Sequence, residues 1–138
     1  MPVEDTPQDG LDDRFVASIK HSINEGELLD PGGKARMVGQ CGDSIGVHIA
    51  VDNAVLSAVR VQPEGCAYTR VCAGAMSFLA QGLSVDEALR LDPQDIVAEV
   101  GGLPEDHMHC ARLALNALGE AVADYYARLV GNGLKEEG

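Results

Sequence analysis

From Ile45 the apolar side chains recur at every second position, with Ile45, Val47, Ile49 and Val51 on one face of an extended chain and Gly46, His48 and Ala50 on the other. A strand with one buried side reads this way, so the stretch commits the chain to a sheet with a covered face. Turn chemistry follows at Asp52-Asn53. Val55, Ser57, Val59 and Val61 then alternate against Leu56, Ala58, Arg60 and Gln62, which predicts an antiparallel partner strand ended by Gln62-Pro63-Glu64-Gly65. Upstream, Asp30-Pro31-Gly32-Gly33 is a turn, and residues 35–38 are expected to form a short edge strand leading into Cys41.

Past Cys66 the period lengthens to that of a helix, with Val71, Ala75, Phe78 and Leu79 as an apolar stripe and Gly82 as its stop. Two short helices with legible caps come next. Ser84-Val85-Asp86-Glu87 is a capping box, and Asp92-Pro93-Gln94-Asp95 sets an aspartate cap before a proline at the first helical position. Gly101-Gly102 terminates the second, and a final helix is expected over about residues 105–130, with Leu115, Leu118, Val122, Tyr125 and Leu129 facing the sheet. Ahead of the strands, Asp13 caps a further helix carrying Phe15, Val16, Ile19 and Ile23, which ends near Asn24-Glu25-Gly26. The expected fold class is α+β: a small three-stranded antiparallel sheet with helices packed on one face and a long C-terminal helix. A chain of 138 residues forms one such domain, expected over 14–130 between a flexible acidic N-terminus, 1–13, and a polar tail, 131–138.

With 22 acidic residues against 10 Lys and Arg, the net charge of −12 argues against nucleic acid or an anionic membrane surface as partner. No apolar run approaches the roughly 20 residues of a membrane span, and Met1-Pro2-Val3-Glu4-Asp5 does not start a secretory signal, so a cytoplasmic location is expected. In that reducing compartment four cysteines are ligands or reactive thiols sooner than disulfides.

Three of the four sit in particular settings. Cys41 lies in the glycine-flanked loop Gly39-Gln40-Cys41-Gly42-Asp43, Cys66 follows Gly65 where a strand gives way to a helix, and Cys110 stands beside His109 in the first turns of the last helix. A helix N-terminus favours thiolate over thiol, and thiolates bind soft metals. Any one of these cysteines alone reads as a small buried hydrophobe. Three of them with Asp43 and His109 at hand form a soft-metal constellation, although no Cys-x-x-Cys pair fixes it locally and the fold itself must assemble it.

Residues 39–43, Gly65-Cys66, residues 82–89 and residues 103–124 resemble the IscU/NifU N-terminal type of iron–sulfur cluster scaffold. Gly102-Leu103-Pro104, Met108-His109-Cys110 and Ala123-Asp124-Tyr125 stand in that family's order and near its spacing, and the similarity spans roughly residues 33–129. The resemblance implies that Cys41, Cys66 and Cys110 are cluster ligands, with Asp43 and His109 alternating as the fourth or aiding release. It further implies a non-catalytic scaffold for a 2Fe-2S cluster, a cysteine desulfurase as sulfur donor, apo iron–sulfur proteins as recipients, and a monomer or homodimer. Where typical members carry Leu-Pro-Pro-Val-Lys, this chain has Leu103-Pro104-Glu105-Asp106-His107, which argues against a specialised chaperone as partner.

Three thiolates suit iron and zinc alike, so zinc is a candidate occupant of the protein as isolated. A carboxylate or imidazole as fourth ligand leaves a more exchangeable position than a fourth thiolate, as a protein that hands its cluster on requires. Two other readings compete: a zinc-bound sulfurtransferase resembling the SufU relatives, which accepts persulfide, and a structural zinc domain. His109 before Cys110 and the short interval between Cys41 and Cys66 count against the sulfurtransferase. Cys72 is expected to be a buried packing thiol, His48 a surface residue, and His107 to face solvent, with Tyr125 and Tyr126 in packing roles.

Overall fold

The structure, a computed structural model, describes residues 24–40 and 42–137, the stretch 132–137 as backbone alone. Cys41, the acidic start and the helix expected on Phe15, Val16, Ile19 and Ile23 lie outside the described residues.

Three strands form one antiparallel sheet in the order β1 (Gly33–Val38), β2 (Ser44–Asp52), β3 (Val55–Glu64). Val47 stands opposite Ala35 on one side and Val61 on the other, and Ile49 opposite Val59, so the apolar rows of neighbouring strands share a face. Ile45, Val47, Ile49, Val59 and Val61 are completely buried there. The β2–β3 turn is Asn53-Ala54, with φ of 54° and 64°. Two left-handed central residues make the hairpin turn that matches strand twist, and asparagine is suited to the first of them.

The expected alternation fails at one place in β3. Ala50 pairs with Ala58 but Val51 pairs with Leu56, so Ser57 is an extra residue in a bulge. One inserted residue exchanges the faces of all that lies beyond it. Leu56, expected to face out, is completely buried, while Ser57, expected to face in, is exposed and donates its hydroxyl to Ala50 O at 3.2 Å.

Helix α1 (Ala67–Ala80) follows β3, then α2 (Val85–Ala88), α3 (Pro93–Val100), a 3-10 turn (Glu105–His107) and α4 (Met108–Glu137). The caps are those expected. Ser84 and Glu87 exchange hydrogen bonds at the start of α2, and Asp92 accepts from Gln94 and Asp95 N–H before Pro93 opens α3. Gly101 ends α3 in the left-handed conformation at φ 81°. Helix α1 packs on β3 and is covered by α3 and α4, so Val71, Cys72, Ala73, Ala75 and Met76 are buried on all sides, while Phe78 points outward against expectation.

Helix α4 lies across β1 and β2. Its buried line is Cys110, Ala111, Leu113, Ala114, Ala117, Leu118, Ala121 and Val122; Leu115 and Tyr125 pack half-buried against the core as expected, and Leu129, also expected to face the sheet, is exposed. Alanine lets the strand come close. At Gly33 a Cβ would run into Ala121 O and Tyr125, so the β1–α4 approach requires glycine. The helical backbone continues to Glu137, beyond the end expected near Val130. On the sheet's other side, Gly26 N–H donates to Val61 O at 3.0 Å and Leu28 N–H to Nδ1 of His48 at 3.1 Å, so His48 anchors the incoming segment half-buried. No described helix is long and apolar enough to cross a membrane.

Candidate metal centre

One end of this fold gathers the loop before β2, the N-terminus of α1 and the start of α4. Each supplies ligand-type side chains. Cys66 occupies the N-cap of α1 with extended backbone (ψ 175°), beside the helix's free N–H groups. Asp43 precedes β2 in a tight loop closed by Gly39 N–H donating to Asp43 O at 2.7 Å. It lies so near the β3–α1 junction that a Cβ at Gly65, whose φ is +150°, would press on its side chain. His109 and Cys110 come from the first turn of α4.

At the centre is a residue that the sequence did not flag. Thr69 is completely buried, and its hydroxyl donates to Oδ2 of Asp43 at 2.7 Å while lying 3.6 Å from Sγ of Cys66 and 3.7 Å from Sγ of Cys110. Three residues after Cys66 it returns to the same side of α1, which is the only signal its position offered. Nε2 of His109 stands 3.7 Å from Sγ of Cys110.

His107, expected to face solvent, is half-buried instead. Its ring stacks on Tyr68 with centroids 3.9 Å apart and planes 23° from parallel, and the His109 ring follows at 6.0 Å. Two sets of ligand atoms result, each within a mutual 4.8 Å: Asp43, His109 and Cys110, and Cys66, His107 and Cys110. Ligands of one tetrahedral ion lie roughly 3.3–3.8 Å apart at ordinary bond lengths, so little contraction closes either set.

The donor set fits a soft metal on two further grounds. Oδ1 of Asp43 and Nδ1 of His107 are buried with no hydrogen-bond partner among the described residues. Such atoms are costly to leave unpaired, and a cation bound by the set to which each residue belongs would pair it. The thiols also differ in the way a loading site needs. Burial opposes ionisation of Cys66, but the Thr69 hydroxyl, the N–H groups of Thr69 and Tyr68 and the Cys110 thiol outweigh it, holding its pKa below the ordinary thiol value. Burial pushes Cys110 up to about 11, with the Thr69 hydrogen bond acting against the rise and the charges of Cys66 and Asp43 adding to it. Cys72 is wholly buried and pushed up to about 12 by burial, then by the neighbouring thiols, as befits the packing thiol expected. A cavity of about 460 Å³ opens onto the group and is lined by Gly42, Asp43, Glu64, Cys66, Asp106 and His109 among others.

The model of the NifU-like N-terminal domain matches residues 13–131. The iron–sulfur cluster assembly scaffold protein IscU 1 of Archaeoglobus fulgidus is 28% identical over 117 residues, covering 84% of this chain and 76% of its own length. The scaffold protein IscU of Aquifex aeolicus is 32% identical over 109 residues, 74% of this chain and 67% of its own. Among solved structures, a Fervidobacterium islandicum protein described as a scaffold for the SUF system superposes with a TM-score of 0.66 at 16% identity, covering 80% of this chain and 93% of that one. The N-terminal part of a NifU-like protein from Brucella abortus gives 0.60 at 17%, covering 85% and 97%. At these identities the two structures speak for the fold.

Proposed function

The chain belongs to the NifU-like N-terminal domain family, and from that premise we propose that it is a scaffold on which an iron–sulfur cluster is assembled and from which the cluster passes to apo-proteins. The observation that carries this reading is the convergence of Asp43, Cys66 and Cys110 around Thr69, with His109 beside Cys110. The cluster is cargo, of the 2Fe-2S type, and a cysteine desulfurase supplies its sulfur. Cys41, two residues before Asp43 in the sequence, completes the thiolates, and Asp43 and His109 share the exchangeable position. Cys66, exposed and disposed to ionise, is the first thiolate that incoming iron or sulfur meets. Cys110 holds the cargo from below, once its proton has left to solvent. The role is non-catalytic, and zinc is the alternative occupant of the protein as isolated.

Anaerobic reconstitution with iron, cysteine and a desulfurase tests the reading. A visible chromophore with labile sulfide is expected, lost in Cys66→Ser and Cys110→Ser and kept in Cys72→Ser; equal loss in all three would sink the assignment. The exposed Cys66 thiol also suits the second reading, a zinc-bound SufU-like sulfurtransferase accepting persulfide. Stoichiometric zinc that survives iron and desulfurase, with persulfide found on a cysteine, would favour it. Asp43 tests the handing-on step. Asp43→Ala removes a hard oxygen ligand and no thiolate, so its cluster should form, stay longer and transfer more slowly to an apo-ferredoxin. Unchanged or faster transfer would remove Asp43 from ligand exchange.

A further inference from the structure

Cys110 belongs to both sets of ligand atoms, and only one of them contains the Asp43 and His109 pair on which the scaffold reading draws. The other joins Cys110 to Cys66 and to His107. His107 sits on the 3-10 turn rather than on α4, and its ring is fixed by the stack on Tyr68. A ring held by stacking keeps its nitrogens free for another partner, and Nδ1 is buried with none among the described residues. An imidazole oriented before it binds loses little freedom on binding, which is how metal-ligating histidines are usually prepared.

We propose that Cys66, His107 and Cys110 form a second position for a single soft divalent cation, beside the Asp43, His109 and Cys110 position and sharing the Cys110 thiolate with it. The inference rests on the scaffold reading, because two of its three ligands are cluster thiols. Two thiolates and a neutral imidazole make a ligand set that zinc or ferrous iron takes readily, with a fourth place left for water. Binding forms bonds from the metal to two sulfurs and one ring nitrogen, and the thiol protons leave to solvent. The exposed Cys66 puts this position at the mouth of the cavity, whereas the buried Asp43 puts the other deeper. A cation entering from solvent therefore meets the Cys66–His107 side first and reaches the Asp43–His109 side with Cys110 as the common ligand.

Zinc and cobalt binding to the full chain test the proposal, with affinity read by competition against a chromophoric chelator and geometry by the cobalt absorption bands. His107→Phe keeps a ring against Tyr68 but removes both nitrogens. It should weaken zinc binding by roughly tenfold or more and alter the cobalt ligand-field bands while sparing the sulfur-to-cobalt charge-transfer band. In the unaltered protein, zinc should shift the imidazole ¹⁵N resonances of His107, a signal that stacking alone would not move. Wild-type affinity and bands in His107→Phe, or unmoved His107 nitrogens, would overturn the proposal while Cys110→Ser still loses the metal and the scaffold reading stands. Wild-type binding in Cys66→Ser and Cys110→Ser as well would overturn both.

Discussion

Thr69 has one hydroxyl proton and faces three acceptors. It gives the proton to Asp43, so a thiolate at Cys66 or Cys110 gains it only when Asp43 gives it up, whereas a protonated thiol can donate to the same oxygen. Thr69→Val, of nearly the same shape, leaves a buried carboxylate oxygen without its donor and should cost about 1–3 kcal/mol of stability. It also removes a group that lowers the Cys66 pKa. With iodoacetamide at neutral pH, Cys66 should alkylate before Cys110 and Cys72, since Cys66 lies below the ordinary thiol value while the other two stand at about 11 and about 12. In Thr69→Val the pH midpoint for Cys66 labelling should move up, and Thr69→Ser should restore it; mass spectrometry of labelled peptides reads both, and an unmoved midpoint would show that Thr69 only fills space. Asp43, Cys66, His109 and Cys110 could be singled out in the sequence as candidate ligands because thiols, an acid and an imidazole beside glycines or helix starts announce their chemistry. Thr69 and His107 were not, because their roles come from neighbours. Thr69 depends on contacts reaching 26 and 41 residues along the chain, and His107 on a tyrosine that nothing in its own segment names.

Elements were legible where their signals are local. The capping box at Ser84 and the aspartate cap before Pro93 need only four consecutive residues each, and both form as read, with Asp95 closing a second box on Asp92. The bulge at Ser57 was hidden because alternation cannot reveal an extra residue unless the pairing strand is known. The buried line of α4 was legible in part for a physical reason: large side chains mark an apolar stripe, and Leu118 and Val122 are buried as read, yet where backbones approach closely the alanines Ala114, Ala117 and Ala121 complete the contact. This difference separates two substitutions. Asp92→Ala removes an exposed cap and should cost about 1 kcal/mol. Gly33→Ala drives a methyl group into Ala121 O and should cost about 1–3 kcal/mol by prying β1 from α4. Urea denaturation of both variants checks the order, and an equal or smaller loss for Gly33→Ala would mean that β1 moves aside freely.

Across the molecule, the site ties together segments that the backbone keeps apart. Asp43, Cys66 and Cys110 come from three separate segments of the chain, and a metal bound between them would join those segments by bonds that packing alone does not supply. Zinc should therefore raise the melting temperature, and a chelator should return it to the metal-free value; a melt indifferent to zinc would rule out this coupling. The sign with pH follows from Cys110. Its proton is held up to about pH 11, so through neutrality metal must displace it, and zinc affinity should rise as pH rises, by up to about tenfold per unit for each proton released. Glu64 and Asp106 line the cavity, and the whole chain carries a net charge of −12. Such a field acts on a cation before any bond forms, and it weakens as the screening length shrinks from about 30 Å at 0.01 M salt to about 3 Å at 1 M. Cobalt association followed by stopped flow should slow by roughly tenfold or more across that range, while dissociation into excess chelator keeps its rate. Equal salt effects on both rates would show that the long-range field plays no part. If both rates behave so, the acids around the opening govern how fast the site fills, and the ligand bonds behind them how long it stays filled.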